Sequence, residues 1–407
     1  MKIFKFFVSK IFLRRVIPSI AVILLICTSN YVTFIAARTV ISTFQGYQET
    51  KGLKQEGNFI ANLDPNSAAN FGAIDANGTQ KVYDYLGSHF DYAFYVDGFM
   101  VSIPNSDDME ISLCYMNEAY YELNQFQLSQ GTGLKFDSQF DGNNEVPVLI
   151  GKGLSKTYPV GSTIELDDPA LEQAITLRVQ GVLAENAYHS NYNTLNSKSY
   201  YNFSIFIPVN EEYIGHANLG LQVNGLMEIV ILQTTEEKIS DLSKVIQDNL
   251  GVKLNFLSQQ DNYEFFSEYY FHSLKIVAAI SLILLLVITC LSVWNALVSI
   301  RLMLKDLTIN LLVGLSYSKL RKIFYSYYGI VFFINLVIVF SFTAYVRYGC
   351  WLRKDATFAT YGLFGLIGMD WLALLFVVVS DMIIGIIIVE SMLRKIKKVP
   401  ISLGVLQ

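Results

Sequence analysis

Charge is what this 407-residue chain has little of: Asp, Glu, Lys and Arg make up 16% of it, against about a quarter in ordinary soluble proteins. Hydrophobic residues make up 52%, which excludes a wholly water-soluble globule. Cysteine is scarce as well. Cys27, Cys114, Cys290 and Cys350 form no CxxC pair and have no metal-ligand spacing, so a disulfide scaffold is excluded. A Cys114–Cys350 bridge would need a proximity that spacing cannot establish. The four histidines, His89, His189, His216 and His272, lie far apart and read as surface or packing residues. No HExxH, GxSxG or kinase signature occurs, so no catalytic residue, metal or bound cofactor is expected of this chain, and no nucleic acid as a partner.

Two stretches imitate ligand loops. GKGLSKT, inside VPVLIGKGLSKTYPVGSTIEL (Val146 to Leu166), resembles a phosphate loop. With Lys156 and Thr157 as its Lys-Thr, the two obligatory glycines fall on Ile150 and Ser155, so the backbone that must wrap the phosphates lacks both. DSQFDG, Asp137 to Gly142, begins like a calcium loop, but the twelfth position is Val148, where a bidentate glutamate is needed. It reads as a solvated turn.

The charge that is present is segregated. Val40 to His272 carries 30 acidic and 11 basic residues, and the rest carries 5 acidic and 19 basic. Four long apolar runs flank or follow this acidic block. The first, Val16 to Ala37, is long enough to cross ~30 Å of hydrocarbon and longer than the core of a cleaved signal peptide. Lys2, Lys5, Lys10, Arg14 and Arg15 precede it, and Arg301, Lys305, Lys319, Arg321, Lys322, Arg394, Lys395, Lys397 and Lys398 flank the later runs on what should be the cytoplasmic side. Arg347, Arg353 and Lys354 dissent. The expected layout is a cytoplasmic N-terminus (1–15), spans at 16–38, 273–300, 323–346 and 366–390, an extracytoplasmic domain (39–272), an inner loop (301–322), a short outer loop (347–365) and a cytoplasmic tail (391–407).

Within the outer block, YAFYVDGFMVSI, EVPVLIG, AITLRVQGVLA, FSIFIPV and EIVILQ read as strands. TEEKISDLSKVIQDNLG has helical spacing through Ile239, Leu242, Val245, Ile246 and Leu250, with Gly251 as its stop. The fold class is therefore a membrane protein: four transmembrane α-helices plus a large mixed α/β extracytoplasmic domain inserted between helices 1 and 2. AYHSNYNTLNSKSYYN, Ala187 to Asn202, has no period and reads as a long surface loop.

Asp381 sits deep in the fourth span, where an ionisable group must face protein or water. Asn335 or Ser281 would be its hydrogen-bonding neighbour, and it is the one buried acid expected in the spans. EFFSEYYFHSLK, Glu264 to Lys275, with Phe265, Phe266, Tyr269 and Tyr270, reads as an interfacial aromatic belt and as a stalk leading into span two. The twenty-two residues between spans two and three are enough for two short helices.

One span, a large outer domain and three further spans resemble the MacB/FtsX family of ABC-transporter permeases, the type VII or mechanotransmission family. VPVLIGKGLSKTYPVGSTIEL followed by AITLRVQGVLAEN is similar to that family's extracytoplasmic core of strand, short helix, turn and two strands, and FIPVN (Phe206 to Asn210) to its next landmark. KDLTINLLVGLSYSKLRKIF (Lys305 to Phe324) is similar to its inner coupling loop, with Asp306 at the acidic position and Gly314-Leu315-Ser316 at Gly-Ala-Ser. Leu311 stands where that family has a basic residue. The tail RKIKKVPISLGVL resembles the family ending. The resemblance implies a MacB-like core domain on stalk helices and ATPase coupling through Asp306, Leu307, Gly314, Leu315, Ser316, Lys319 and Arg321. It implies a separate cytoplasmic ABC ATPase holding ATP and Mg, a second permease chain in a homo- or heterodimer, and an extracytoplasmic adaptor or peptide substrate. The location would be a bacterial plasma membrane with both termini cytoplasmic. Export of, or resistance to, peptides or lipid-linked substrates is the leading function. An FtsX-like transducer controlling a cell-wall hydrolase, and a membrane-anchored receptor or adhesin without an ATPase, are the alternatives.

Overall fold

The computed structural model describes residues 16–398, without 50–52, 54, 65, 68, 105, 107–108, 125, 138–139, 141–143, 192–194 and 267–271, together with Phe4 and Val8. In chain order the elements are α1 (Val16–Glu49), β1 (Phe59–Leu63), α2 (Ala76–His89), β2 (Asp91–Ala93), β3 (Tyr95–Val101), β4 (Ile111–Met116), α3 (Glu118–Asn124), β5 (Leu128–Gly131), β6 (Glu145–Ile150), β7 (Thr163–Asp168), β8 (Gln173–Leu183), β9 (Tyr188–Ser190) and β10 (Lys198–Tyr200). They continue with β11 (Ser204–Pro208), α4 (Glu211–His216), α5 (Leu219–Met227), β12 (Val230–Leu232), α6 (Glu236–Leu250), β13 (Leu254–Ser258), α7 (Gln259–Phe266), α8 (His272–Leu312), α9 (Tyr317–Leu352) and α10 (Gly368–Lys397). These divide into two compact units.

The first unit comprises Met1–Ile41, His272–Val346 and Leu366–Gln407. Among the described residues four helices are long and apolar enough to cross a membrane, with apolar stretches at Ile23–Glu49, Leu282–Arg301, Tyr317–Leu352 and Gly368–Lys397. The chain is thus a membrane protein. Helices suit these sequences because hydrocarbon offers no partner for a free N–H or C=O, and a helix satisfies every one internally. At one end Ile300, Leu307, Leu320, Phe324, Ile388 and Met392 form a buried cluster. Farther along, Phe34, Val339, Ala373 and Val377 form a second.

The expectation of two short helices at 301–322 is corrected. Residues 301–312 continue α8 and residues 317–322 open α9, so the connection is a four-residue turn at 313–316. α1 likewise runs to Glu49, past the expected end of span one at residue 38.

The second unit comprises Ser42–Phe271 and Arg347–Gly365. A four-stranded antiparallel sheet has the order β13-β1-β12-β2. A seven-stranded mixed sheet runs β3-β4-β11-β6-β8-β5, with β7 also on β8. β8 serves two partners on one edge because it is eleven residues long: Gln173–Arg178 pair with β7 and Gly181–Leu183 with β5. Four of the five strand expectations and the helix at Glu236–Leu250 are present; the other, YAFYVDGFMVSI, breaks at Phe94 into β2 of the four-stranded sheet and β3 of the seven-stranded one. Gly251 caps that helix in the left-handed region, at φ +66°, which a glycine adopts without steric cost.

The order strand, short helix, strand, strand expected around GKGLSKT is also observed, the short helix being a single 3₁₀ turn at Lys152–Leu154. Its glycines are needed for close approach and not for an unusual φ. A Cβ on Gly151 would lie 1.8 Å from the Tyr201 carbonyl oxygen, and one on Gly153 2.6 Å from that of Asn202. The calcium-loop imitation at 137–142 falls largely outside the described residues.

Two features of this unit depart from expectation. Ala187 to Asn202 is not an unstructured loop: β9 and β10 pair as an antiparallel hairpin, Lys198 against Ser190 and Tyr200 against Tyr188. The residues linking spans three and four belong to the fold. Tyr200 N–H donates to the Thr357 carbonyl at 2.8 Å, the Asn202 side chain donates to the Ala359 carbonyl at 3.0 Å, and Asn186 donates to the Tyr361 carbonyl at 2.9 Å. Trp351 packs edge-on to Phe203 and Tyr361, and Ala356 and Ala359 join the core. This accounts for the dissenting Arg347, which is 6% exposed and lies over the Tyr200 ring. Tertiary packing, and not the loop-charge rule, sets its place. Cys114 and Cys350 form no disulfide, and burial pushes the Cys114 thiol up to about 12.

Candidate functional site

The residues expected to couple the chain to a partner gather at the 313–316 turn. Gly314 ends α8 with φ +102°, a conformation that favours glycine. The turn is closed by Gly314 N–H on the Leu311 carbonyl (3.1 Å) and Leu315 N–H on the Asn310 carbonyl (3.0 Å). Ser316 caps the start of α9, its Oγ accepting from Lys319 N–H at 3.3 Å. Leu307 is buried, and Leu311 and Leu315 pack against the same cluster. Leu311, at the position where a basic residue would be expected, is thus an apolar packing residue. Asp306 is half-buried on α8, and Lys319 is exposed. Arg321 reaches Glu390 of α10 at 3.1 Å, and Tyr325 donates to the other oxygen of that carboxylate at 3.2 Å. The turn is therefore held on both sides.

What it presents is unusual for a helix connection. Val313 is 83% exposed, Leu312 58% and Ile309 43%, while Lys305, Lys319, Arg321 and Lys322 are exposed around them. An apolar tip with a basic rim is the composition of a protein-docking surface.

The polar groups inside the spans are arranged differently from expectation. Asn30 of α1, and not Asn335, donates to Oδ2 of Asp381 at 3.0 Å; the Ser281 side chain lies outside the described residues. Asn335, fully buried, donates to the Val331 carbonyl of its own helix. Asp381 is also not the one buried acid of the spans. Asp370, 0% exposed, meets Arg38 of α1 at 3.1 Å and accepts from Ile367 N–H at 3.2 Å. α1 and α10 are thus joined by two polar contacts, eight residues apart on α1 and eleven on α10. The signal was present as Asn30 and Arg38 in one span and Asp370 and Asp381 in another. Of the stalk aromatics, Phe265 and Phe266 end α7. Their side chains, with Tyr269 and Tyr270, lie outside the described residues.

Among the described residues no group of three or more His, Cys, Asp or Glu could hold a metal ion. The second unit has its own polar junction at the end of α1. Glu49 accepts from Ser190 N–H at 3.1 Å and meets His189 Nδ1 at 3.2 Å. Beside it Lys198, 6% exposed, donates to Ser190 Oγ at 2.8 Å and lies 3.9 Å from the centre of the Tyr188 ring. Burial pushes the Lys198 ammonium down to about 8, against the opposing pull of Glu49.

Because the folded protein holds that proton less tightly than the unfolded chain does, stability rises as pH climbs from about 8 to 10. Lys198→Met is expected to remove this gain. The difference in melting temperature between variant and wild type should favour the variant at pH 7 and shrink by pH 10. A constant difference would show that Lys198 stays fully charged through that range.

No protein-family model and no curated protein matches this chain. Among solved structures it is similar to the periplasmic region of MacB from Actinobacillus actinomycetemcomitans, over 55% of this chain and 98% of that one, at 11% identity and a TM-score of 0.33. It is also similar to the extracellular domain of the noncanonical ABC-type transporter YknZ from Gram-positive bacteria, over 49% and 100%, at 13% identity and a TM-score of 0.31.

Proposed function

We propose that this chain is the permease subunit of a MacB/FtsX-like ABC transporter, working with a separate cytoplasmic ATPase and a second permease chain. The observation that carries the reading is the 313–316 turn: an exposed apolar tip, rimmed by lysine and arginine, on a connection anchored by Ser316, Arg321 and buried Leu307. Val313 lies in the turn and Ile309 and Leu312 on the end of α8 before it, three exposed apolar side chains that a docked partner would cover. The sequence order described above, from the strand and 3₁₀ turn at GKGLSKT to the inner Gly-Leu-Ser, supports the same family. In this reading ATP and Mg are held by the partner, and its closure shifts the turn. α8 continues unbroken from that turn through span two, and α1 contributes residues to both units, so these two helices carry the displacement outward. Work on a peptide or lipid-linked substrate is then done by the large α/β unit, for export or resistance.

The direct test is reconstitution. The chain, purified with the ABC ATPase that co-isolates with it, should raise that enzyme's ATP turnover in proteoliposomes. A chain that neither retains nor stimulates an ABC ATPase would rule the proposal out. Orientation has its own test. A single cysteine at Asn196, in the second unit, should react with an impermeant maleimide on intact cells, and one at Ser318, beside the turn, only after permeabilisation. The reverse pattern would put the turn outside, beyond the reach of any ATPase.

A further inference from the structure

The face between α9 and α10 carries an apolar groove of about 410 Å³. Gly329, Phe333, Leu336, Met382 and Ile386 line it, and Asp381 is the one carboxyl among its lining residues. That carboxyl is 4% exposed. Its Oδ2 is taken by Asn30, while Oδ1 is buried with no hydrogen-bond partner among the described residues. The one carboxyl lining the groove thus keeps a second oxygen that the described residues do not use. Leaving such an oxygen unpaired is costly, and it is retained in the strongly apolar stretch Leu374–Val389, where Ser380 is the only other polar side chain.

The occupant can be argued from what a bilayer does and does not reward. Moving an alkyl chain from lipid into an apolar groove yields almost nothing, because lipid tails are as apolar as the walls. Preference must come from the polar contact. A carboxyl already accepting one N–H and lacking a cationic side chain favours an occupant that brings both a donor and a positive charge. We propose that this groove binds an amphiphilic amine from the bilayer, its alkyl body along Phe333, Leu336 and Ile386 and its ammonium group on Asp381.

The two glycines of the groove differ in a way that makes the proposal testable. A Cβ on Gly385 would meet Phe332 at 2.8 Å, so that wall is packed; one on Gly329 would meet nothing within 4 Å. Gly329→Phe therefore has room to enter the groove at its Cβ and leaves the Asp381 and Asn30 side chains themselves unchanged. The proposal stands apart from any ATPase, and its failure leaves the permease reading intact.

The experiment uses the full chain in phosphatidylcholine nanodiscs with a diazirine-bearing dodecylamine as photoprobe and peptide mass spectrometry as readout. Labelling is expected on the segments around 325–336 and 378–386. Dodecylamine should displace it at a concentration at least tenfold below that of dodecanol, a difference of about 1.4 kcal/mol, with dodecyl sulfate ineffective. Gly329→Phe and Asp381→Asn should each lower labelling at least tenfold while the melting temperature stays near wild type. Equal displacement by alcohol and amine would overturn the proposal, as would undiminished labelling in Gly329→Phe. Loss of a crosslinked dimer in Gly329→Phe, with labelling unchanged, would instead assign the groove to a second copy of this chain.

Discussion

Val313→Glu and Gly314→Val should each leave the permease inserted and monodisperse yet lower its stimulation of the partner ATPase about tenfold. Val313 is the most exposed apolar side chain of the turn, and apolar anchors of this kind commonly contribute more than 1 kcal/mol to an interface. A tenfold loss corresponds to about 1.4 kcal/mol. Gly314 acts through shape. At φ +102° a valine is strained by on the order of 1–3 kcal/mol, and relief requires the 313–316 turn to refold and move its tip. Space is not the constraint, since a Cβ on Gly314 meets nothing within 4 Å. Asp306→Lys should weaken the same coupling, and more so at low salt, because charges near water are screened beyond about 10 Å at 0.1 M. Stimulation at the wild-type level in all three variants would show that this turn does not dock the ATPase.

The second large effect is on folding. Gly151→Ala should lower the melting temperature of the α/β unit by about 6–12 °C. The added methyl would sit 1.8 Å from the Tyr201 carbonyl oxygen and 2.4 Å from that of Asn202. Both are backbone atoms, which cannot swing aside as a side chain can. Gly151 N–H also donates to the Ser204 carbonyl at 2.8 Å, so retreat would break a bond between β11 and the 3₁₀ turn. Overpacking of this kind costs roughly 3 kcal/mol or more, and each kcal/mol moves a unit of this size by about 2–4 °C. Gly215→Ala is the control, because a Cβ there meets nothing nearer than Gln80 at 3.7 Å and a helical alanine is favoured. Equal melting temperatures for Gly151→Ala and wild type would refute the close-approach account of GKGLSKT.

How far the chain could be read in advance follows from the range over which each feature is encoded. Spans, strands such as Glu145–Ile150 and the helix ending at Gly251 are written in runs of neighbouring residues, so periodicity and length reveal them. The β9–β10 hairpin escapes because Tyr188–Ser190 and Lys198–Tyr200 are three residues each, too short for an alternating pattern to rise above the polar background. Asn30 and Asp381 are 351 residues apart, and nothing local tells which of several polar residues in four spans will meet. The inner turn was misjudged for a different reason. Charged residues at Arg301, Lys305 and Asp306 mark where the membrane ends, but a helix need not end where its lipid does. Of the residues proposed for coupling, Gly314 and Ser316 had a local signature, a helix stop and a cap. The exposure of Ile309, Leu312 and Val313 did not, since buried and exposed leucines look the same on the page.

The packing of residues 347–365 into the second unit has a consequence for how the protein is made. The last strand of that unit, β13, emerges well before Trp351, Ala359 and Tyr361, which arrive roughly ninety residues later. At about 5–20 residues per second of synthesis, the unit waits on the order of 5–20 s with the Asn202 amide and the Tyr200 N–H lacking their Ala359 and Thr357 acceptors. Those acceptors follow α9 in the chain, so the α/β unit can make its last backbone hydrogen bonds only once the whole of that helix has been synthesised.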